Sequence, residues 1–585
     1  PNAPSLIYPG KNKAQLLQKR NRLLYKLFEN DILDSTTYEL ALLEVLPRKP
    51  YSLPQIAPHL VHYLAKNNKG KKITSTIDGI LQSTVNSILD KHHQNLRQNQ
   101  VHNAAVLVID VDTRHVLAYL GNTPTDKDHQ KDVDMVQANR STGSILKPLL
   151  YAAMLDAGEL LPNMMIPDVP TQIAGYTPEN FNEDYSGAIE AKKALAQSLN
   201  IPAVRLLQEY GLERFRDQLK AFDLKGLNKS ADHYGLTLIL GGAESSLWDL
   251  CKTYASLAST INHFNTTSSE YFENEFCDPI LVKDEGMDFG TKSTEKTIFD
   301  AGSIYLTFDA MKEVNRPEES ESWEFFDSSK KIAWKSGTSF GNKDAWAIGA
   351  TKKYLVGVWV GNADGEGRPG VSGVSSAAPI LFDVFDVLPR TDWFSKPLDE
   401  FIDIGVCADS GFLATTICPK KTIAIPNKNN YVGSCNYHQT IILDQYKQFR
   451  VNSSCADLSL STRESWFVLP PLMEFYYKKN NPTYKTLPPL RDRCAKNYNS
   501  PMVFIYPKNG NRISLAKNFE GQTNELVLKL AHTKPEVVVY WYLDEKYLDS
   551  TSNFHELGIV PSPGKHKITA VDEQGNEAVI TFRIE

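Results

Sequence analysis

The sequence predicts a multidomain α+β protein: an antiparallel sheet packed with helices, then a loop-rich segment, then a terminal β-sandwich. Three observations lead there. Residues 331–362 carry three β-rich runs, KIAWKSGTSF, AWAIGAT and YLVGVWVGN, with a tight Lys352-Lys353 turn between the last two, which describes adjacent antiparallel strands. Five of the seven cysteines (Cys407, Cys418, Cys435, Cys455 and Cys494) crowd into 396–495, a stretch punctuated by Gly411, Pro419, Pro426, Gly433, Pro470, Pro471 and Pro482. From about residue 498 the chain turns β-rich, with MVFIYP, ELVLKL, VVVYWYLD, KHKITAVD and EAVITFRIE separated by turn signals at Lys508-Asn-Gly510 and Gln574-Gly-Asn576. That is the spacing of a small sandwich.

From the start of the chain, Leu16, Leu17, Leu23, Leu24, Leu27 and Phe28 fall on one face and predict an amphipathic helix over 13–29. Lys19, Arg20 and Arg22 are then its solvated face. In RSTGSILKPLLYAAMLDAG (140–158), small residues precede an apolar run, which reads as a loop entering a buried helix with Ser144 near its first turn. In AIEAKKALAQSLNIPAVRLLQEYG (188–211), two helical runs flank a short turn holding Ser198 and Asn200, with Pro202 at the start of the second. The polar stretch 263–296 interrupts this region, either as a loop over a cleft or as a surface insertion.

The chemistry lies in three short segments taken in order. Ser144 and Lys147 share one helical face, so the amine can reach the hydroxyl. A serine becomes a useful nucleophile only when a base takes its proton, and a lysine serves as that base only with a lowered pKa. Ser-x-x-Lys recurs at Ser293, Ser328, Ser514 and Ser562, and Ser-x-Asn at Ser434, so neither is specific alone. Lys335-Ser-Gly-Thr338 is the one Lys-Ser/Thr-Gly in the chain. On a strand, Gly337 lets a substrate backbone lie alongside, Ser336 and Thr338 offer hydroxyls, and Lys335 offers charge for an anionic end. Backbone N–H groups of Ser144 and Thr338 are the chosen oxyanion donors. Ser198 is assigned to proton transfer, and Asn200 to a substrate amide or to Lys147.

Together, Ser144-Ile-Leu-Lys147, Ser198-Leu-Asn200 and Lys335-Ser-Gly-Thr338 resemble the active site of the penicillin-binding and serine β-lactamase group. Residues 54–395 resemble the transpeptidase domain of class A penicillin-binding proteins, with further matches at Gly175-Tyr-Thr-Pro-Glu-Asn180, Leu240-Gly-Gly242 and Trp359-Val-Gly-Asn362. The opening residues are similar to the tail of that class's glycosyltransferase domain, and the terminal sandwich resembles its 1C type. Leu199 and Ser336 depart from the commoner residues but keep the functional atoms. The resemblance implies a serine β-lactamase/transpeptidase-like fold and four domains: a glycosyltransferase remnant with linker (1–50), the transpeptidase (51–395), the Cys-containing connection (396–495) and an immunoglobulin-like β-sandwich (496–585). It also implies that the chain is a fragment. A glycosyltransferase and a membrane anchor would lie upstream, outside the cytoplasm at the inner membrane.

On that resemblance the reaction is D,D-transpeptidation. Ser144, activated by Lys147, attacks the carbonyl between two D-alanines of a peptidoglycan stem peptide, and an amine of a neighbouring stem takes the acyl group. Lys335 and Ser198 hand a proton to the leaving D-alanine; β-lactams mimic the donor. No metal or organic cofactor is required. Alternatives are a serine carboxypeptidase or β-lactamase, and a β-lactam-binding scaffold. A protein or glycan partner for the sandwich is also considered, with Tyr540, Trp541 and Tyr542 as candidate contacts.

With 585 residues and 42% hydrophobic content, the chain is long enough for several cores, and a net charge of −6 implies no nucleic-acid partner. No apolar run reaches the length of a bilayer span. The crowded cysteines of 396–495 read first as disulfide staples of an oxidising compartment. The competing reading is a zinc site of Cys407, Cys418, Cys435 and His438, whose gaps are not two matched Cys-x-x-Cys pairs. Five is odd, so one cysteine is left free or pairs with Cys251 or Cys277.

Overall fold

The computed structural model describes residues 6–48, 55–171, 173, 177–181, 183–283, 285–314, 330–428, 431–453, 455–491, 494, 501–515, 524–544, 546–573 and 576–585. Gly175, Tyr176, Ser328, Gln574 and Gly575 lie outside these. The chain divides into two units, Pro1–Pro58 and His59–Glu585.

The first unit holds α1 (Lys13–Glu29) and α2 (Ser35–Leu43), so the helix read over 13–29 forms with those bounds. Asp34 caps α2 by accepting from the N–H of Thr37, and Phe28 stacks on Tyr38 with ring centroids 4.9 Å apart. The apolar stripe is only partly covered, for Leu17 and Leu23 remain exposed.

The second unit is built on a five-stranded antiparallel sheet. Its strands are β1 (Asn103–Asp110), β2 (Val116–Leu120), β5 (Ala333–Thr338), β6 (Asp344–Ala350) and β7 (Tyr354–Gly361), in the order β2-β1-β7-β6-β5. Strands β3 (Met165–Asp168) and β4 (Gly187–Glu190) form a separate hairpin. Because successive side chains point to opposite faces, each central strand feeds two cores. Val356, Val358 and Val360 of β7 join a cluster with Val85 and Leu89 of α3 (Gly79–Leu96) and Ile380, Leu381, Val384 and Phe385 of α9 (Ala378–Val387). Gly357 faces the other way. A Cβ there would lie 2.2 Å from Cys251 Sγ, so glycine sets how closely α7 (Leu247–Thr266) approaches the sheet. Both faces are covered, and every residue of β1, β6 and β7 is buried. That is why these strands read as near-continuous apolar runs rather than as alternation.

The remaining helices used below are α4 (Lys147–Asp156), α5 (Ala191–Ala196), α6 (Asn200–Tyr210), α8 (Ala301–Lys312) and α10 (Pro471–Asn480). The 263–296 stretch is anchored away from β5. Glu275, fully buried, accepts from Ser259 and pairs with His263 at 2.6 Å, while its backbone oxygen accepts from Arg114. Ile280 bridges to His115 beside β2, the opposite edge of the sheet from β5. Polar contacts to Ser259 and Arg114 hold it on that side.

Beyond the sheet, β8 (Phe401–Cys407) pairs with β9 (Lys420–Pro426), and β10 (His438–Leu443) with β11 (Thr462–Phe467). The disulfide reading of this segment holds for one pair, Cys455–Cys494. Cys407, Cys418 and Cys435 are buried free thiols, and Cys251 and Cys277 are also unbridged. The C-terminal region has a three-stranded sheet and a five-stranded sheet around a core that includes Phe504, Leu528, Trp541, Ile568 and Phe582. Trp541 is buried and donates to Thr551 Oγ1, so of the three aromatics read as candidate contacts it belongs to the core, while Tyr540 is exposed.

Candidate active site

Ser144 lies on a 3₁₀ turn (Gly143–Leu146) that leads directly into α4, rather than in the first α-turn. Lys147, the first residue of α4, returns its backbone N–H to Ser144 O. In a 3₁₀ turn residues three apart eclipse, so Lys147 still stands over the serine's face. The turn is held from three sides. Trp346 Nε1 donates to Ser141 O at 2.7 Å, Tyr254 OH to Ile145 O at 2.6 Å, and Arg140 bonds Asp344 at 2.7 Å. Gly143 has φ +52, and a Cβ there would lie 2.6 Å from Thr338 N. A Cβ on Gly337 would meet Thr142 O and Ile145 Cγ1, both at 2.8 Å. The expected role of Gly337 was room for a substrate; its first requirement is room for the serine turn itself.

Strand β5 is the edge of the sheet, with Lys335 paired to Ile348, Ser336 to Ala347, Gly337 to Trp346 and Thr338 to Ala345. Trp334 points into the α9 core, so Lys335 projects from the opposite face, toward α4 and α6. Ser336 is half-buried, and Thr338 Oγ1 accepts from Gly373 N–H at 3.0 Å.

The middle motif closes the cluster. Ser198 falls in the turn between α5 and α6, and Asn200 opens α6, with Pro202 inside the first turn where an N–H is unpaired anyway. Lys335 Nζ donates to Ser198 Oγ at 2.7 Å. Lys147 Nζ donates to Ser198 O at 2.7 Å, Leu199 O at 3.1 Å and Asn200 Oδ1 at 2.7 Å. Ser198 has φ +57, a left-handed conformation that a non-glycine residue keeps only under external restraint. Here both lysines supply that restraint. Among the described residues no hydrogen bond joins Lys147 Nζ to Ser144 Oγ; such contacts commonly tighten only once substrate is bound.

Burial decides the electrostatics. Lys147 and Lys335 are 3% and 0% exposed. Desolvation, and then the charge of Lys335, hold the Lys147 ammonium well below the usual lysine range. Desolvation brings Lys335 down to about 7. Both shifts favour release of a proton from this buried pair, which is what a lysine base requires.

Several positioning residues carry no motif. Asn180, buried, accepts the backbone N–H of Asn200 at 3.0 Å and donates to Asp168 Oδ1 at 2.8 Å. Asn200 Nδ2 donates to Glu179 O. Asn180 ends the Gly175–Asn180 segment that supported the resemblance, which was the available signal for it. Arg140, Tyr254 and Trp346 had none, because their partners are distant in sequence.

Residues 104–384 match the family model for the penicillin-binding protein transpeptidase domain, and residues 491–582 that for the Penicillin-Binding Protein C-terminus Family. The chain is 30% identical over 389 residues to penicillin-binding protein 1C of Escherichia coli K12, covering 66% of this chain and 47% of that protein. It is 25% identical over 384 residues to penicillin-binding protein 1B of Buchnera aphidicola, covering 61% and 49%. The fold resembles the crystal structure of penicillin-binding protein 1A from Haemophilus influenzae, with a TM-score of 0.54 at 16% identity, covering 71% of this chain and 83% of that one. Fold and family match thus define a penicillin-binding transpeptidase domain on a mixed α+β scaffold. Residues 104–384 carry this transpeptidase domain, and the chain is similar to penicillin-binding protein 1C. It spans about half the length of the curated relatives it matches.

Proposed function

We propose that this chain performs serine acyl-transfer on peptidoglycan stem peptides as a D,D-transpeptidase. The observation that carries the reading is the pair of buried lysines joined through Ser198, one of them on the 3₁₀ turn's exit from Ser144. Neutral Lys147 takes the Ser144 proton as Oγ bonds to the carbonyl carbon of the penultimate D-alanine. The N–H groups of Ser144 and Thr338 donate hydrogen bonds to the developing oxyanion. As the C–N bond breaks, Ser198 relays a proton to the departing D-alanine amine and is resupplied from Lys147 or Lys335. Lys335, with Ser336 and Thr338, holds the substrate's terminal carboxylate. The acceptor amine then retraces these steps: it gives its proton to Lys147 as its nitrogen bonds to the acyl carbon, and Lys147 passes a proton to Ser144 Oγ as the ester C–O bond breaks. A β-lactam acylates Ser144 by ring opening and stays attached, because its leaving group remains tethered.

The same reading places the domain boundaries near 50, 395 and 495. It gives the full-length protein a glycosyltransferase, a membrane anchor and an extracytoplasmic location. Among the described residues, no helix is long and apolar enough to cross a membrane. Intact-mass spectrometry after incubation with penicillin tests the site. The expected result is one persistent adduct on the wild type and none on Ser144→Ala. An adduct that is lost rapidly, with drug hydrolysed, would replace transpeptidation by a β-lactamase reading. No adduct on folded protein would favour a scaffold.

A further inference from the structure

Four potential metal ligands from distant positions converge in the connecting segment. Cys407 ends β8, Cys418 precedes β9, and Cys435 and His438 lie three apart at the start of β10. One ligand atom from each lies within 4.8 Å of all the others, and all four residues are buried. His438 Nδ1 is 3.4 Å from Cys407 Sγ and 3.5 Å from Cys435 Sγ. A tetrahedral zinc ion, with Zn–S of about 2.3 Å and Zn–N of about 2.0 Å, requires a sulfur–nitrogen separation of about 3.5 Å. We propose that Cys407, Cys418, Cys435 and His438 bind one structural Zn²⁺ as a closed Cys₃His site.

The surroundings supply what such a site needs beyond its ligands. Asp409 Oδ2 lies 3.1 Å from His438 Nε2, so Nε2 carries the proton and Nδ1 turns its lone pair toward the sulfurs. Ser410 directs its N–H at Cys407 Sγ (3.4 Å) and its hydroxyl at Cys435 Sγ (3.1 Å), and Thr415 Oγ1 is 3.1 Å from Cys418 Sγ. Such donors suit thiolates. A disulfide uses only two of the three sulfurs. It leaves the third thiol, and the oriented imidazole with its carboxylate, without a purpose. The chain already forms its disulfide elsewhere, at Cys455–Cys494. With four protein ligands no position is open for water or substrate, which makes the site structural.

The site also fastens one region to another. Ser410 O, in the turn between Cys407 and Phe412, accepts from Met165 N–H of β3 at 2.9 Å. Gly411 sits so close that a Cβ would fall 1.9 Å from Asn163 O. Strand β3 pairs with β4, which runs straight into α5 and the Ser198 turn. Zinc therefore stiffens the support of the middle motif from outside the cleft.

Metal analysis of the purified chain, prepared without chelator, is the test. About one zinc per chain is expected, with thiols of Cys407, Cys418 and Cys435 becoming reactive only after a strong chelator is added. Replacement by Co²⁺ should give the intense thiolate-to-cobalt absorption of a tetrahedral thiolate site. Asp409→Asn keeps all four ligands and should weaken zinc binding about 10–100-fold. Cys455→Ser should leave the zinc content unchanged. If Cys435→Ser fails to fold, the wild-type zinc and cobalt measurements still decide. Wild-type protein that holds no zinc and takes up neither zinc nor cobalt after reduction, or a Cys407–Cys435 or Cys418–Cys435 disulfide that forms even with zinc present, overturns the proposal.

Discussion

Lys335 Nζ donates a 2.7 Å hydrogen bond to Ser198 Oγ, while the backbone oxygen of the same serine accepts from Lys147 Nζ at 2.7 Å. A strand residue and a helix residue, 188 positions apart (335 − 147), thereby reach each other through one strained turn. The charge of Lys335 favours a neutral Lys147, and Ser198 is held by both, through its hydroxyl by one and its backbone oxygen by the other.

Replacing Lys147 by arginine keeps a long hydrogen-bond donor and removes the base, because a guanidinium does not deprotonate. Acylation of Ser144 by penicillin should fall about 10²–10⁴-fold, the usual contribution of a positioned general base. Stopped-flow or quenched-flow acylation rates with Lys147→Arg give the answer. A loss under threefold would remove Lys147 from the role.

The acylation rate should depend on pH through both lysines. It rises as Lys147 loses its proton, well below the usual lysine range, and falls as Lys335 loses its proton near 7. Lys335→Gln deletes the cation beside Lys147, so the acid limb should move to higher pH while the alkaline limb disappears. An acid limb that stays in place would deny the coupling.

Lys335 also bears on stability, with a definite sign. Its folded pKa, about 7, lies below the unfolded value of about 10.4, so the native state binds fewer protons between those values. The cost is fully present below pH 7 and disappears above about 10.4. Lys335→Met should therefore stabilise the fold at pH 7 by on the order of a few kcal/mol, seen as a higher thermal midpoint, while abolishing acylation. The gain should shrink when melting is repeated at pH 9–10.

Asn180→Ala should leave Asp168 and the Asn200 N–H without their buried partner, costing about 1–3 kcal/mol. Because Asn180 acts through Asn200, acylation should drop while the pH limbs stay where they are. Gly143→Ala is more severe. Its φ of +52 and the 2.6 Å approach to Thr338 N leave no space for a methyl group, so the serine turn must shift away from β5. Loss of the penicillin adduct with a largely retained melting transition would identify the shift as local.

The sequence by itself determined the ordered motifs, the antiparallel run β5-β6-β7, the helix over 13–29 and the β-rich C-terminus. These are short-range signals: chemical identity at fixed spacing, and apolar periodicity matched to an element. The Ser144 turn was legible only approximately, since a 3₁₀ turn and the first turn of an α-helix place side chains three apart on the same face.

Only the tertiary structure decided what depends on contacts between remote positions. It set the burial that lowers both lysines, the hold of Asn180 and Tyr254 on the catalytic turns, and the need for Gly337 against Ile145. It also separated Cys455–Cys494 from the Cys407, Cys418, Cys435 and His438 cluster, where spacing alone favoured disulfides. The reason is physical. Desolvation, close approach and ligand geometry are properties of volumes enclosed by several segments at once, and no single segment encodes them.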